Sequence, residues 1–332
     1  MFLIQSMFVT CLLTFFPGEI PRADQPSDDN LKSRAFELSS CGKIDGLTEG
    51  LTLKIWIPVP SESAHQNVEL IAMNFPARVQ FTREPEYGNR MIYCETVVDA
   101  SGNFQFEATF RVKRFEDKWT QNDPVTEIAE SRRLRLLKPD RLVPITGSPL
   151  DSLLANRDLA QSDVEKVRDL YDIVLEHMTY DKSKPGYGNG DVLWACDSRT
   201  GNCTDFHSLF ISLCRRQKIP AVFEIGFPLP DSTKSGVISG YHCWAKCFVE
   251  GKGWLAVDIS EADKHPEMTD YFFGNLTPDR VALSQGRDIV LEPAQAGEPL
   301  NSFVKPCAEV DGVAIDTQQL NATVTFQDVD TK

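Results

Sequence analysis

The sequence is poor in positive charge and has no long basic run. It contains 34 Lys and Arg residues against 48 Asp and Glu residues, for a formal net charge of −14. Nucleic acids and anionic membrane surfaces are bound through basic patches, so we predict neither as a partner. The 332 residues are 42% hydrophobic, which suits about two packed domains rather than a disordered chain.

Apolar runs long enough to cross a membrane are also missing. The run from Met7 to Phe16 has the length of the h-region of a signal peptide and is too short for a membrane span. No Lys or Arg precedes it and no small-x-small cleavage site is obvious, yet we interpret residues 1–23 as a signal peptide and 24–33 as a linker. This predicts an exported protein, periplasmic or extracellular, with no integral membrane segment after cleavage; a cytoplasmic location is the alternative.

The patterns of common metal sites are absent as well. The chain has five histidines and no acidic loop of the D-x-D-x-D-G kind. Of its nine cysteines, Cys11 would leave with a signal peptide, and the others permit a disulfide framework without showing one. We expect most of them to be buried thiols, and we predict no metal and no cofactor.

Hydrophobic periodicity divides the chain into a β-rich part and a mixed part. Residues 34–115 hold alternating, β-branched runs separated by turn signals, which predicts a β-sandwich. Charge and several prolines mark 116–150 as a boundary. An amphipathic helix from Asp163 to about Met178 begins the pattern of a mixed domain at 151–290, with strand-like runs beyond residue 220 and a last one at 287–291. Residues 291–332 are a predicted β extension that adds strands to one of the two domains.

One cysteine lies where a helix begins. After the turn-rich run 196–201, four apolar residues between 206 and 213 recur at helix spacing, which places Cys203 at or just before the first turn. Unpaired backbone N–H groups and the positive end of the helix dipole stabilise a thiolate there. Position alone leaves two interpretations open: an activated nucleophile and a small buried hydrophobe.

A nucleophilic cysteine needs a base, and His242 lies in a strand-like run followed by a second run that carries Asp258. The two are an even number of positions apart, so both side chains can point to one face of a hairpin. They would lie directly opposite each other if the turn centres on Glu250, with Gly251 at positive φ. A two-residue turn at Gly251 and Lys252 would put His242 and Asp258 on opposite faces of the hairpin. Imidazole can accept the thiol proton, and the carboxylate fixes its tautomer and stabilises the imidazolium.

Three motifs, in this order, resemble those of the transglutaminase-like superfamily. They are G-N-C-T-D-F at 201–206, Y-H-C-W at 241–244 and G-W-L-A-V-D at 253–258, within a similarity over roughly residues 160–290. The resemblance implies an α+β fold with a papain-like core, in which the helix-borne cysteine packs on an antiparallel sheet. It implies Cys203 as nucleophile, His242 as general base and acid, and Asp258 as orienting carboxylate. A preceding β-sandwich is consistent with exported bacterial multidomain members.

Two features suggest other chemistry. His207 stands where the family usually has a small residue; its side chain leans toward Cys203, which makes it a rival base without an obvious acid. Cys243 and Cys247, near His242, could suggest a metal site. On a strand, however, they face away from His242, which favours core positions.

Four aromatic residues are candidates for the substrate cleft. Tyr180, Tyr187 and Trp194 precede the nucleophile, where they could form a cleft wall or supply an oxyanion donor. Trp244 shares the predicted face of His242 and could shield the ion pair from water or pack in the core. The backbone N–H of Cys203 is the oxyanion donor that we name.

The predicted chemistry is attack of a thiolate on an amide or acyl carbon to give a thioester. Water would then make the protein a peptidase or amidase, and an amine would make it a transglutaminase. We favour hydrolysis of a peptide or isopeptide bond, so the predicted partner is a protein or peptide substrate. The alternatives are a protein-glutamine amine transferase that cross-links proteins, and a catalytically silent binding module in which the β-sandwich recognises the ligand.

Overall fold

The computed structural model describes residues 31–120, 127–316 and 318–330. The predicted signal peptide and most of the predicted linker at 24–33 lie outside the described residues. The strands are β1 (Ser33–Ile44), β2 (Thr52–Pro58), β3 (Gln66–Asn74), β4 (Val79–Arg83), β5 (Arg90–Val97), β6 (Phe104–Phe115), β7 (Asp117–Lys118), β8 (Thr179–Tyr180), β9 (Thr200–Gly201), β10 (Ala221–Pro228), β11 (Ser235–Val237), β12 (His242–Val249), β13 (Gly253–Val257), β14 (Asn275–Leu276), β15 (Arg280–Gln285), β16 (Cys307–Val310), β17 (Val313–Ala314) and β18 (Thr323–Asp328). The helices are α1 (Glu130–Arg135), α2 (Ser148–Leu154), α3 (Asp163–His177), α4 (Val192–Ser198), α5 (Cys203–Arg216) and α6 (Ile259–Lys264).

A β-sandwich of two antiparallel five-stranded sheets confirms the expectation for the first half of the chain. The sheets have the orders β11-β18-β1-β6-β3 and β17-β16-β2-β5-β4. Strand β6 shows why the pattern was readable: Phe104, Phe106, Ala108 and Phe110 are buried, whereas the residues between them are exposed or partly exposed. The C-terminal tail belongs here too, because β18 pairs with β1 and β16 pairs with β2. The predicted domain boundaries themselves stay predictions.

The second half contains the predicted papain-like core. Its sheet has four antiparallel strands in the order β13-β12-β10-β15, and α5 packs against β12 and β10. Helix α5 begins with a capping box. The Asn202 side chain accepts the N–H of Thr204 at 2.8 Å, and the Asp205 carboxylate accepts the N–H of Asn202 at 2.9 Å. These bonds fix the start of the helix at Cys203.

Helix α5 is buried on nearly every side, so its polar residues need internal partners. The Arg215 guanidinium binds the Asp140 carboxylate at 2.6 Å, and the Ser208 hydroxyl accepts from Arg287 at 2.8 Å. A buried ion pair of this kind is costly to break once formed. The helix that carries Cys203 is therefore held at both ends and along its length.

Two local predictions about secondary structure are wrong. The predicted turn-rich run at 196–201 is helical as far as Ser198, because the Asp191 carboxylate caps α4 by accepting the N–H groups of Leu193 and Trp194. The predicted strand at 287–291 is not a strand; the fourth strand of the sheet is β15. Since β15 is buried on both faces, it lacks the period-2 alternation by which a half-buried strand is recognised.

The hairpin that carries the predicted base differs from expectation by one residue in its centre. Strands β12 and β13 pair with Val249 opposite Gly253 and Ala245 opposite Val257, so the turn centres on Gly251 and not on Glu250. Gly251 has a φ of +69° and Gly253 one of +84°, which favour glycine. Because the connection still has three residues, the even spacing is preserved and His242 and Asp258 stay on the same face.

The sandwich rests on the edge strand of the core sheet. The Gln66 side chain donates to the Ala282 carbonyl at 2.9 Å and accepts the Ala282 N–H at 2.8 Å. Next to this contact, Asp117 of β7 and Lys246 of the inner strand β12 form an ion pair at 2.8 Å. One continuous cluster of buried apolar residues runs through both parts. Within the described ranges, no helix is long and apolar enough to span a bilayer, and the eight cysteines found there are free thiols.

Candidate active site

Cys203 is the first residue of α5, as predicted, and only 2% of its surface is exposed. The pKa of its thiol lies well below the ordinary value, because a hydrogen bond from the Cys243 thiol and contacts with the His242 ring outweigh the opposing effect of burial. The helix N-terminus favours the same charge state. The thiolate is therefore the form that this environment stabilises.

His242 and Asp258 meet as the even spacing predicted. Nε2 of His242 lies 2.7 Å from Oδ2 of Asp258, and both residues are buried. Since Nε2 faces the carboxylate, Nδ1 is the ring nitrogen left for the Cys203 thiol. Burial alone would lower the pKa of His242, but the Asp258 and Cys203 contacts raise it to about 9. The two shifts together favour an imidazolium next to a thiolate.

Asp258 follows β13 and caps α6, and its carboxylate forms hydrogen bonds with four groups. Besides His242, Arg280 Nη1 lies 2.9 Å from Oδ2, the Ser260 hydroxyl 3.1 Å from Oδ1, and the Glu261 N–H 3.2 Å from Oδ1. Burial alone would raise the pKa of Asp258, but His242 and Arg280 hold it below its ordinary value. The carboxylate thus stays ionised and fixed in direction.

Arg280 is a residue that the sequence did not single out. It begins β15, is 3% exposed, and its guanidinium lies 5.0 Å from the centre of the Trp244 ring. A lone arginine in a segment not recognised as a strand gave no signal. A search for cationic residues near the three motifs would have included Arg280, but the sequence does not show that it is buried next to Asp258.

His207 connects the nucleophile to the acid through backbone groups. Its Nδ1 lies 2.7 Å from the Cys203 carbonyl oxygen, and its Nε2 accepts the N–H of Ile259 at 3.0 Å. The ring is therefore the neutral tautomer with the proton on Nδ1, and burial lowers its pKa. Contrary to the expectation of no nearby acid, Oδ1 of Asp258 lies 3.8 Å from Nε2 of His207. Because both ring nitrogens already form hydrogen bonds with backbone groups, this arrangement does not support His207 as the base.

The four predicted cleft residues lie in different environments. Tyr180 packs beside Phe206, and burial raises the pKa of its hydroxyl. Tyr187 is 41% exposed, and Trp194 is partly buried next to the 183–190 loop. Trp244 is fully buried 6.1 Å from the His242 ring, with its Nε1 donating to Glu224 at 2.6 Å. Trp244 therefore lies behind the histidine and does not line an open cleft.

Tyr241 is a further polar group at the nucleophile that sequence reasoning missed, although it belongs to the second motif. Its hydroxyl lies 3.0 Å from Nδ2 of Asn202 and 3.2 Å from Oγ1 of Thr204. Burial raises the pKa of this hydroxyl to about 12. It stays protonated at neutral pH and helps to fix the first turn of α5.

Cys243 contacts α5, and its thiol also lies within hydrogen-bond reach of Cys203, so it is closer to the nucleophile than a plain core position would be. Its Sγ lies 3.7 Å from Oγ1 of Thr204, and burial and the nearby Cys203 raise its pKa well above the ordinary value. The ligand atoms of His242, Asp258 and Glu261 lie within 4.8 Å of one another. In this set the His242 and Asp258 atoms already bond to each other.

Part of the chain is similar in sequence to a known family, and its fold is similar to that of a solved structure. Residues 154–259 match the family model described as the transglutaminase-like superfamily. An uncharacterised protein of Haemophilus influenzae is 31% identical over 170 residues, covering 42% of this chain and 46% of that protein, so the match spans about half of the relative. A solved structure of a candidate cysteine protease from Cytophaga hutchinsonii covers 91% of this chain and 92% of its own, at 16% identity and a TM-score of 0.55, which shows a shared fold. The periplasmic domain of TgpA from Pseudomonas aeruginosa reaches a TM-score of 0.34 at 16% identity, over 66% of this chain and 92% of its own.

Proposed function

Because residues 154–259 belong to the transglutaminase-like superfamily, we propose that the protein is a cysteine enzyme that hydrolyses peptide or isopeptide bonds through a thioester. The observation that carries this proposal is the buried contact of Cys203 with His242, whose Nε2 lies 2.7 Å from Asp258. The lowered thiol pKa and the raised imidazole pKa are the shifts that a thiolate–imidazolium pair requires.

In the first half of the reaction, Sγ of Cys203 forms a bond to the carbonyl carbon of the substrate. The electron pair of the C=O bond moves to oxygen, and the backbone N–H of Cys203 is the donor that we assign to that oxyanion. When the intermediate collapses, the C–N bond breaks and His242 gives its proton to the departing amine. The product is an acyl thioester on Cys203.

In the second half, His242 is neutral and can accept a proton from water. The water oxygen attacks the thioester carbon, the C–S bond breaks, and the carboxylic acid leaves. Asp258 stabilises the imidazolium in both halves because its carboxylate stays ionised. An amine in place of water would give a new amide, which is the cross-linking alternative.

A peptide library with a primary amine as an optional acceptor tests this proposal. Wild-type protein should release new carboxyl termini from a subset of peptides, and the Cys203→Ala variant should release none. Incorporation of a fluorescent primary amine into glutamine peptides, faster than hydrolysis, would favour the transferase. A wild-type protein that neither cleaves nor transfers, and whose Cys203 reacts with iodoacetamide no faster than an ordinary thiol at pH near 6, would favour the silent module.

We also propose that the protein acts outside the cytoplasm, on the basis of the apolar run from Met7 to Phe16. Fractionation of cells that produce the full chain, followed by N-terminal sequencing of the mature protein, tests this. Processing near residue 23 is the expected result. Recovery of the unprocessed chain in the cytoplasmic fraction would contradict it.

A further inference from the structure

A groove of about 830 Å³ lies where the sandwich meets the core, apart from the candidate active site. Its walls come from β3 and β6 of one sandwich sheet, from the β4–β5 hairpin of the other, from α1, and from the end of β15. Both sheets of the sandwich and the core domain therefore contribute to it.

The groove carries excess positive charge in an acidic protein. Five of its lining residues are cationic and two are carboxylates. The lining cations are Arg83, Arg90, Arg111, Lys113 and Arg132. The carboxylates of Glu62 and Glu69 lie 3.5 Å from Arg90 and Arg111 respectively.

Three cations of the groove keep an uncompensated charge. Arg83, Lys113 and Arg132 form no ion pair with a carboxylate in the part of the chain that the structure describes. Lys113 lies 5.0 Å from the centre of the Phe115 ring, and Arg132 Nη2 donates to Gln285 at 2.7 Å, but neither contact removes charge. The whole chain has a net charge of −14, so composition alone predicts a negatively charged surface. The positive charge of the groove is the opposite of that prediction.

The same groove offers backbone groups to an extended chain. Strand β3 is the last strand of its sheet, and 66–69 of this strand line the groove. Gln66 already exchanges both backbone hydrogen bonds with Ser63. Beyond it, the free side of this edge strand presents N–H and C=O groups to which an extended peptide adds. Cationic side chains beside such an edge select acidic side chains on the added peptide.

We propose that this groove binds an acidic, extended segment of the protein substrate. That the bound segment belongs to a substrate rests on the proposed function. A long polyanion such as nucleic acid would meet the net negative charge beyond the groove, whereas a short acidic segment lies within about one Debye length of the groove cations. The groove thus gives the β-sandwich a recognition role distinct from bond cleavage.

Strand β15 runs from the candidate active site to the groove. Its last residue, Gln285, lines the groove, and its first, Arg280, binds the Asp258 carboxylate. At about 3.4 Å per residue the two ends are roughly 17 Å apart along the strand. A bound acidic segment would therefore lie several residues away from the scissile bond.

Binding of a fluorescein-labelled deca-glutamate peptide tests the proposal, with deca-glutamine as the neutral probe. The protein is the full chain carrying Cys203→Ala, so that anisotropy measures binding without turnover. The groove variant combines Arg83→Glu, Lys113→Glu and Arg132→Glu. A matched control combines Lys138→Glu, Lys234→Glu and Lys305→Glu, which are exposed lysines outside the groove lining and change the net charge equally.

We expect deca-glutamate to bind more tightly than deca-glutamine, and the groove variant to lose about tenfold or more in affinity while the control loses about twofold. Equal losses in the two variants, or no preference for the acidic probe, would overturn the proposal. Gln replacements at the same two sets of positions provide the comparison if thermal unfolding shows that the Glu variants are unfolded. Selective binding without any peptide hydrolysis by the wild type would keep the groove assignment and reject the hydrolase.

Discussion

Helix α5 carries a cysteine near each end, and the two thiols have opposite properties. Cys203 contacts Cys243 and has a lowered pKa, whereas Cys214 contacts Cys247 and has a pKa well above the ordinary value. Both sulfurs are buried between the same helix and strand β12. Burial raises the pKa of Cys214, and its contact with Cys247 adds to that effect.

The difference shows what activates a thiol in this fold. Both thiols are buried, so burial does not distinguish them. The neighbouring thiol acts in opposite directions: the hydrogen bond from Cys243 lowers the pKa of Cys203, whereas the hydrogen bond with Cys247 raises the pKa of Cys214. At Cys203 the His242 ring supplies positive charge, and the helix N-terminus supplies unpaired N–H groups. Cys214 lies near the opposite end of the helix, where the dipole is negative.

The largest expected effect comes from removing each thiol in turn. Cys203→Ala should lower kcat/KM on a peptide substrate by at least about 10⁴-fold, because the nucleophile is lost. Cys214→Ala is the matched control and should retain kcat/KM within a few-fold. A Cys214 variant that is as inactive as the Cys203 variant, while still folded by circular dichroism, would break the comparison.

Weakening the orienting acid should have the next largest effect. Asp258→Asn should lower kcat by about 10²–10⁴-fold, because the amide neither fixes the same tautomer nor stabilises the imidazolium. The exposed Asp270, which pairs with Arg168 at 2.9 Å, provides the control Asp270→Asn. Steady-state kinetics of the two variants measure this, and similar rates in both would argue against a role of Asp258 in the reaction.

Alkylation rates compare the two thiols directly. At pH 6 iodoacetamide should label Cys203 about 100-fold or more faster than Cys214, because the pKa of the first thiol is lowered and the pKa of the second is raised. Peptide mapping by mass spectrometry gives the rate at each site. Comparable labelling of the two residues would mean that the pKa contrast is absent in solution.

The pH dependence of turnover should reveal the partner of Cys203. Above pH 9 turnover should fall because His242 loses its proton, whereas alkylation of Cys203 should not fall because the thiolate remains. The sign for stability follows from the same shift. A pKa raised from 6.5 to about 9 in the folded protein means that protonated His242 stabilises the fold fully below pH 6.5, and that this contribution is lost as pH rises through about 9. Parallel pH profiles for turnover and alkylation would contradict this.

The smallest expected effect concerns the thiol that only packs. Cys214→Ala should lower the free energy of unfolding by about 1–2 kcal/mol, since it removes a fully buried sulfur from a close-packed contact. Cys41→Ala, at an exposed position, should change it by less than about 0.5 kcal/mol. Urea unfolding of both variants gives the two values, and an equal loss would show that Cys214 is not a packing residue.

Local rules predicted much of the fold and of the site. The helix spacing after Cys203 located the start of α5, and the alternation in β6 identified a strand of the sandwich. The even spacing of His242 and Asp258 predicted a shared face, which the observed 2.7 Å contact confirms. Each of these predictions depends on a hydrophobic or side-chain periodicity that can be recognised within a short stretch of sequence.

Other features escaped because they depend on distant parts of the chain. The hairpin centre is the exception, because it is a local turn: it lies at Gly251, Gly251 and Gly253 both have positive φ, and the motifs do not choose between the two registers. Strand β15 was missed because burial on both faces removes its alternation. Arg280 and the bonds of His207 could be placed only once β15, α5 and α6 had been brought together.

By itself, then, the sequence determined which residue types stand at the start of a helix and on one face of a hairpin, since those are short-range periodicities. The tertiary structure decided that the C-terminal strands complete the sandwich and that Arg280 meets Asp258. It also decided that one cysteine of α5 meets a histidine while the other does not. The physical reason is that charge–charge contacts and pKa shifts depend on distances across the fold, which no local pattern encodes.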